Sequence, residues 1–223
     1  MFAEISGFLF LFIIIDLITA TTKYGYEIFS KLDSEAKLQE INENPKKFRT
    51  GTILVIIEHV VIVSLACSLF LAFSSYNIIL GLVWLSSRSA EGLIQIYNKR
   101  SYWSLLSIGG NYATASGAER DVLIDRALTV LKTKNSIVSF AQILFSIGTL
   151  AYSIMFAFYE VTPAIPVIIG WFGIIASIIY GVGNAANHIR PDFQALWNLG
   201  GLLIWIFELV LGGWLLFSPF IIP

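Results

Sequence analysis

Residues 53–73 read ILVIIEHVVIVSLACSLFLAF, a long apolar run interrupted only by the adjacent Glu58 and His59. A helix of about 20 such residues is long enough to cross the hydrocarbon core of a bilayer. The apolar character is continuous rather than alternating, which points to a helix and not to a strand of a barrel. Five further windows of the same kind lie at approximately 5–22, 78–96, 137–158, 165–184 and 196–217. The first has no basic residue ahead of it and no clear small-x-small cleavage site after it, so it reads as an uncleaved first span. The expected fold is all-α: a polytopic membrane protein built as a compact bundle of six transmembrane helices. No repeat, linker or low-complexity tract divides the 223 residues, so the expectation is a single domain, 1–223.

Composition agrees with that reading. Hydrophobic residues make up 57% of the chain and charged residues 13%, against roughly 45–50% and 25% in an ordinary soluble domain. A soluble fold of this size could not cover so much apolar surface. Disorder is excluded by the same numbers. With 14 basic and 15 acidic residues the net charge is −1, so nucleic acid is not an expected partner. The single cysteine, Cys67, lies in an apolar run and excludes an intrachain disulfide.

The gaps between windows give the orientation. After the first come Lys23, Lys31, Lys37, Lys46, Lys47 and Arg49; after the third come Lys99, Arg100, Arg120, Arg126, Lys132 and Lys134; after the fifth comes Arg190. The N-terminus, 74–77, 160–164 and the C-terminal tail hold no Lys or Arg. Thirteen of the fourteen basic residues thus fall on one side, and Arg88 lies inside a span. The positive-inside rule makes that side cytoplasmic and puts both termini outside a cell membrane crossed several times. Two cytoplasmic stretches carry helical signals: Asp33-Ser34-Glu35 starts a short helix with Leu38 and Ile41 inward, and 118–131 either lies on the membrane or extends the fourth span. Ser107-Ile108-Gly109-Gly110-Asn111 reads as a loop. Gly170, Gly173, Ser177, Gly181, Gly183 and the pair Gly212-Gly213 read as surfaces for close helix packing.

Charge inside a span is expensive and faces a bundle interior or a water-filled cavity. Asp16, Glu58, His59, Arg88, Glu91 and Glu208 are such residues, with Gln95, Gln142, Asn184, Asn187 and His188 as polar neighbours. All but the deeper Glu208 fall in the cytoplasmic half of their spans. Arg88 and Glu91 stand at i and i+3 and can pair. Glu58 and His59 are adjacent, so one of the two is expected to face the centre. One reading is packing glue between helices. The other is a cytoplasm-facing polar cavity, with Asp16, Glu58, His59, Arg88, Glu91, Gln142, Asn184 and His188 as its lining and Asp16, Glu58, Arg88 and Glu91 in one connected site. No H-x-x-x-H or H-E-x-x-H spacing accompanies the two histidines, so no metal and no cofactor is expected. There is no G-x-S-x-G turn, Cys67 lacks polar neighbours in sequence, and no lysine lies within a span to hold retinal.

The stretch Glu40-Ile41-x-x-Asn44-Pro45-x-x-Phe48-Arg49-x-Gly51, the pair Arg88-x-x-Glu91, and Phe207-Glu208 followed by Gly213-Trp214-Leu215-Leu216 together resemble a prokaryotic six-span membrane family known as domain of unknown function 4386. The resemblance covers most of the chain and implies a compact six-helix membrane protein with no established activity. Three classes of function stay open. The favoured one is a binding or transport protein whose polar cavity takes a small polar molecule, ion or proton. The second is an intramembrane enzyme using Glu58, His59, Glu91 and His188 on a lipid-like substrate. The third is a sensor or immunity-type accessory protein acting on other membrane proteins. The expected partners are the lipid bilayer and either a small polar ligand or a membrane protein.

Overall fold

The computed structural model describes residues 1–161, 165–190 and 195–221, with the side chains of His188 and 219–221 outside that description. Part of the expected turn 160–164 therefore lies outside the described residues. The described elements are helices: α1 (Phe2–Thr22), α2 (Ser34–Glu43), α3 (Pro45–Phe73), α4 (Ile78–Trp103), α5 (Leu105–Tyr112), α6 (Ala118–Phe158), α7 (Val167–Ile189) and α8 (Ala195–Ile221). Five of them, α1, α3, α6, α7 and α8, are long and apolar enough to cross a membrane. At 26 residues α4 has the length, but Arg88, Glu91, Gln95, Asn98 and Lys99 dilute its apolar character.

Large apolar side chains face outward while charged and polar groups are buried. Ile79, Leu93, Ile168, Ile175, Val182 and Leu202 are exposed, whereas Arg88, Glu91, Asn184 and Glu208 are buried. In water this arrangement would be doubly unfavourable, and in lipid it is the natural one. The chain is an all-α, multi-pass membrane protein.

Several helices run past the apolar windows that announced them. α3 starts at Pro45, whose fixed φ and missing N–H suit a first helical position. The extension suggested for 118–131 is the one observed, since α6 is a single helix of 41 residues. Asp33 caps α2 through a 3.0 Å bond from the Ala36 amide, and Leu38 and Ile41 are its buried stripe. The loop expected at Ser107–Asn111 is instead helix α5. Leu105, Gly109 and Tyr112 fall on one buried face, and Gly109 seats against Ile41 of α2. Packing there overrides the weak helix propensity of the Gly-Gly pair.

The chain forms two compact units. The first comprises Met1–Ile15, Val60–Leu93 and Ser139–Pro223. Its centre is aromatic: Trp84 and Tyr152 meet at 4.5 Å between ring centroids, and Phe156 lies 5.3 Å from both Tyr152 and Phe73. These edge-on pairings are the favoured ones for aromatic rings. The Trp84 indole donates to the Ala66 carbonyl at 3.1 Å. The second unit comprises Asp16–His59 and Ile94–Val138, with Leu38, Ile41, Val55, Tyr102, Leu105, Ala127 and Leu131 in its core.

Small residues let backbones approach within the first unit. A Cβ on Gly7 would lie 2.5 Å from the Leu216 amide nitrogen and 2.7 Å from the Gly212 carbonyl oxygen. One on Gly170 would lie 2.5 Å from the Ala157 nitrogen. Gly213, by contrast, faces open space, so of the Gly212-Gly213 pair it is Gly212 that packs. We expect Gly7→Val to destabilise by about 1–3 kcal/mol, because α1 must move off α8. Gly213→Ala is expected to stay within about 0.5 kcal/mol of wild type. Melting curves of the two variants in detergent, followed by circular dichroism, check the contrast.

Candidate functional site

In the first unit, Trp84, Arg88 and Glu91 lie on one face of α4. Arg88 Nη1 donates to Glu91 Oε2 at 2.5 Å, and the two side chains are 1% and 2% exposed. The guanidinium carbon sits 4.2 Å from the Phe145 ring centroid on α6 and 5.4 Å from that of Trp84. Gly148 on α6 leaves room for the arginine stem, since a Cβ there would press on Arg88 Cγ. The Arg88 Nε has no hydrogen-bond partner among the described residues. Glu208 of α8, 7% exposed, is within electrostatic reach of both Arg88 and Glu91.

A second polar chain lies in the same unit. The Tyr180 hydroxyl donates to Gln142 Oε1 at 3.0 Å. Asn184 Nδ2 donates to the Tyr180 carbonyl at 2.9 Å, and Ser139 donates to the Asn184 carbonyl at 3.0 Å. Thus α4, α6, α7 and α8 each supply buried polar groups to this unit.

The second unit holds Asp16, Glu58 and His59. All three are buried, and Asp16 Oδ2 has no hydrogen-bond partner among the described residues. Adjacency was expected to leave only one of Glu58 and His59 inward, yet both are. The His59 ring bends back so that Nδ1 is 2.5 Å from the Val55 carbonyl and 3.8 Å from Glu58 Oε2. With two acceptors facing that nitrogen, the tautomer assigned there carries its proton on Nδ1.

Lys37, Lys99 and Lys134 of this unit are buried as well. Lys134, 1% exposed, donates to the Glu27 carbonyl (2.5 Å), the Ile28 carbonyl (2.9 Å) and Ser30 Oγ (2.9 Å). Its ammonium lies 5.0 Å from the ring centroids of both Tyr26 and Tyr102. Asn135 completes the clasp with reciprocal 2.8 Å bonds to the Ser30 backbone. Lys99, 2% exposed, makes one long bond to Gln95 Oε1 at 3.4 Å. Burial pushes its pKa down and the nearby Glu58 carboxylate opposes that shift. Burial also raises the phenols of Tyr26 and Tyr102, so both rings stay neutral and face the ammonium groups as π surfaces.

The structure therefore pairs Arg88 with Glu91, joins Gln142 to Asn184 through Tyr180, and sets Glu58 beside His59. The first four named belong to one unit and Asp16, Glu58 and His59 to the other. The side chain of His188 lies outside the described residues. Lys99, Lys134, Tyr26 and Tyr102 were not anticipated as interior polar groups. Their only sequence signal is the aromatic spacing of Lys99 and Tyr102, close to one helical turn apart.

No curated protein and no solved structure matches this chain. A family model does match, over residues 5–218. That match takes in Arg88, Glu91, Glu208 and the Glu40–Gly51 stretch, and with it the chain belongs to the family described as Domain of unknown function (DUF4386).

Proposed function

We propose that this protein is a single six-span domain of the cell membrane that binds or moves a small polar molecule, ion or proton from the cytoplasmic side. The observation that carries the reading is the Arg88–Glu91 pair: two fully buried, oppositely charged groups on one helix, with Glu208 and Asn184 buried and Gln142 partly buried in the same unit. A buried ion pair stabilises a fold weakly at best, because desolvation offsets the attraction. Intramembrane charge of this kind is characteristic of ion and substrate pathways. The orientation, with both termini outside, rests on charge: thirteen of the fourteen Lys and Arg fall in the segments after the first, third and fifth spans, and Arg88 lies inside a span.

The test is flux. Reconstituted into vesicles with a trapped pH dye, and given in turn a proton, sodium or potassium gradient, the protein should collapse at least one gradient faster than empty vesicles. Arg88→Ala should abolish the difference. Identical rates for wild type, Arg88→Ala and empty vesicles under every gradient would count against ion movement. A second reading, an intramembrane enzyme, is favoured by the buried Glu58–His59 pair and would show as consumption of a lipid substrate lost in His59→Ala.

A further inference from the structure

The described interior of the first unit does not balance in charge. Its Lys and Arg residues are Arg88 and Arg190, and Arg190 is exposed at the end of α7. Its buried carboxyl groups among the described residues are Glu91 and Glu208. Glu160 is exposed, and Glu4 is partly exposed and paired with the N-terminal amine at 3.1 Å. One permanent positive charge thus faces two carboxyl groups, at positions that are 1%, 2% and 7% exposed. An uncompensated charge at such a place is strongly unfavourable, and a buried carboxyl group escapes the cost by staying protonated. Arg88 cannot resolve the imbalance, because a guanidinium keeps its proton.

We propose that Glu91 and Glu208 together hold one exchangeable proton, with Arg88 compensating whichever carboxylate remains. This rests on the reading of the site as an ion-binding one and names the ion. The step is simple: a proton from water forms an O–H bond on one glutamate oxygen, and release reverses it. Nothing is oxidised or reduced. A proton fits this place better than a metal cation, which needs a shell of several oxygens, whereas the guanidinium here is flanked by the rings of Trp84 and Phe145.

The surroundings offer few competitors. Among the described side chains of α7 the titratable group within electrostatic reach of the pair is Tyr180, whose hydroxyl donates to Gln142. α6 carries Tyr152 in this unit, packed edge-on against Trp84. The α1 and α3 segments of this unit bring Glu4, at the chain end, and the exposed Cys67. The proton therefore resides on the two glutamates.

Infrared difference spectroscopy of the purified protein at neutral pH, in light and heavy water, tests the proposal. The wild type should show a protonated-carboxyl C=O band that shifts on deuteration. Glu91→Gln and Glu208→Gln should each lose that band, because the remaining carboxylate then has Arg88 to itself. Arg88→Gln should gain intensity, as both glutamates become neutral. A band that persists in both glutamate variants, or is lost in only one, overturns the sharing of a proton, and so does a wild type without the band. If Glu91→Gln or Glu208→Gln fails to fold, Glu91→Ala or Glu208→Ala takes its place in the comparison. A band that behaves as expected in a protein that collapses no gradient leaves the proton site standing and removes the transport reading.

Discussion

The Arg88→Met variant is expected to unfold at a markedly lower temperature than the wild type, with a loss of about 3–5 kcal/mol. Methionine keeps much of the apolar stem that passes Gly148, so packing changes little. What disappears is the charge opposite Glu91, held at 2.5 Å, and the guanidinium against Phe145, which contributes about 2 kcal/mol where water is excluded. Proton uptake by Glu91 or Glu208 recovers part of the loss. The triple variant Arg88→Met, Glu91→Gln, Glu208→Gln should therefore be far more stable than Arg88→Met alone. Arg88→Lys should fall between, because an ammonium supplies a point charge in place of a planar fork. Thermal melts of these proteins in one detergent make the comparison. A melting temperature for Arg88→Met equal to that of wild type would show that the arginine compensates nothing.

The second large effect is expected at Lys134→Met. One ammonium serves three acceptors on the segment between α1 and α2: the Glu27 and Ile28 carbonyls and the Ser30 hydroxyl. Leaving a buried acceptor without a donor costs about 1–3 kcal/mol each. An opposing term exists, since Lys99 is within electrostatic reach and its repulsion is relieved. Three donated bonds and two tyrosine faces outweigh one screened repulsion, so the net loss should be about 2–4 kcal/mol. The damage should be local. Limited proteolysis should cut within 23–33 much faster in Lys134→Met than in wild type, and Lys134→Arg should protect only partly, because its donors are spread over a plane. Unchanged cleavage within 23–33 would mean that the segment is held by other contacts.

The sequence made the membrane helices legible because lipid imposes a length and a composition on them. The ends at Thr22, Phe73 and Phe158 coincide with the limits of the apolar windows. The Asp33 cap and the Leu38–Ile41 stripe were legible for a similar reason, as local chemistry decides a helix start. α5 was not, because a Gly-Gly pair reads as a turn unless the neighbour that buries Gly109 is known. Lys99 and Lys134 were read as charges flanking apolar runs, where the long stem usually reaches headgroups. Only the fold shows that Tyr26, carried on an irregular segment more than a hundred residues from Lys134, supplies an interior surface instead. The Arg88–Glu91 pair was legible since three residues on a helix fix its geometry. Its surroundings were not, because Phe145 and Glu208 come from other helices.

The seat of Gly7 on Gly212 and Leu216 bears on how the chain is made. α1 can meet α3 early, through the Ser6 and Ser68 hydroxyls, 2.9 Å apart. Its glycine face must wait for α8. Roughly 200 residues separate the two, and synthesis at about 5–20 residues per second puts roughly 10–40 s between their appearances. For that interval a surface shaped for a backbone lacks the one it fits. Order of insertion and order of docking are therefore opposed in this protein, and a chain halted before α8 is marked by an unfilled glycine face on α1.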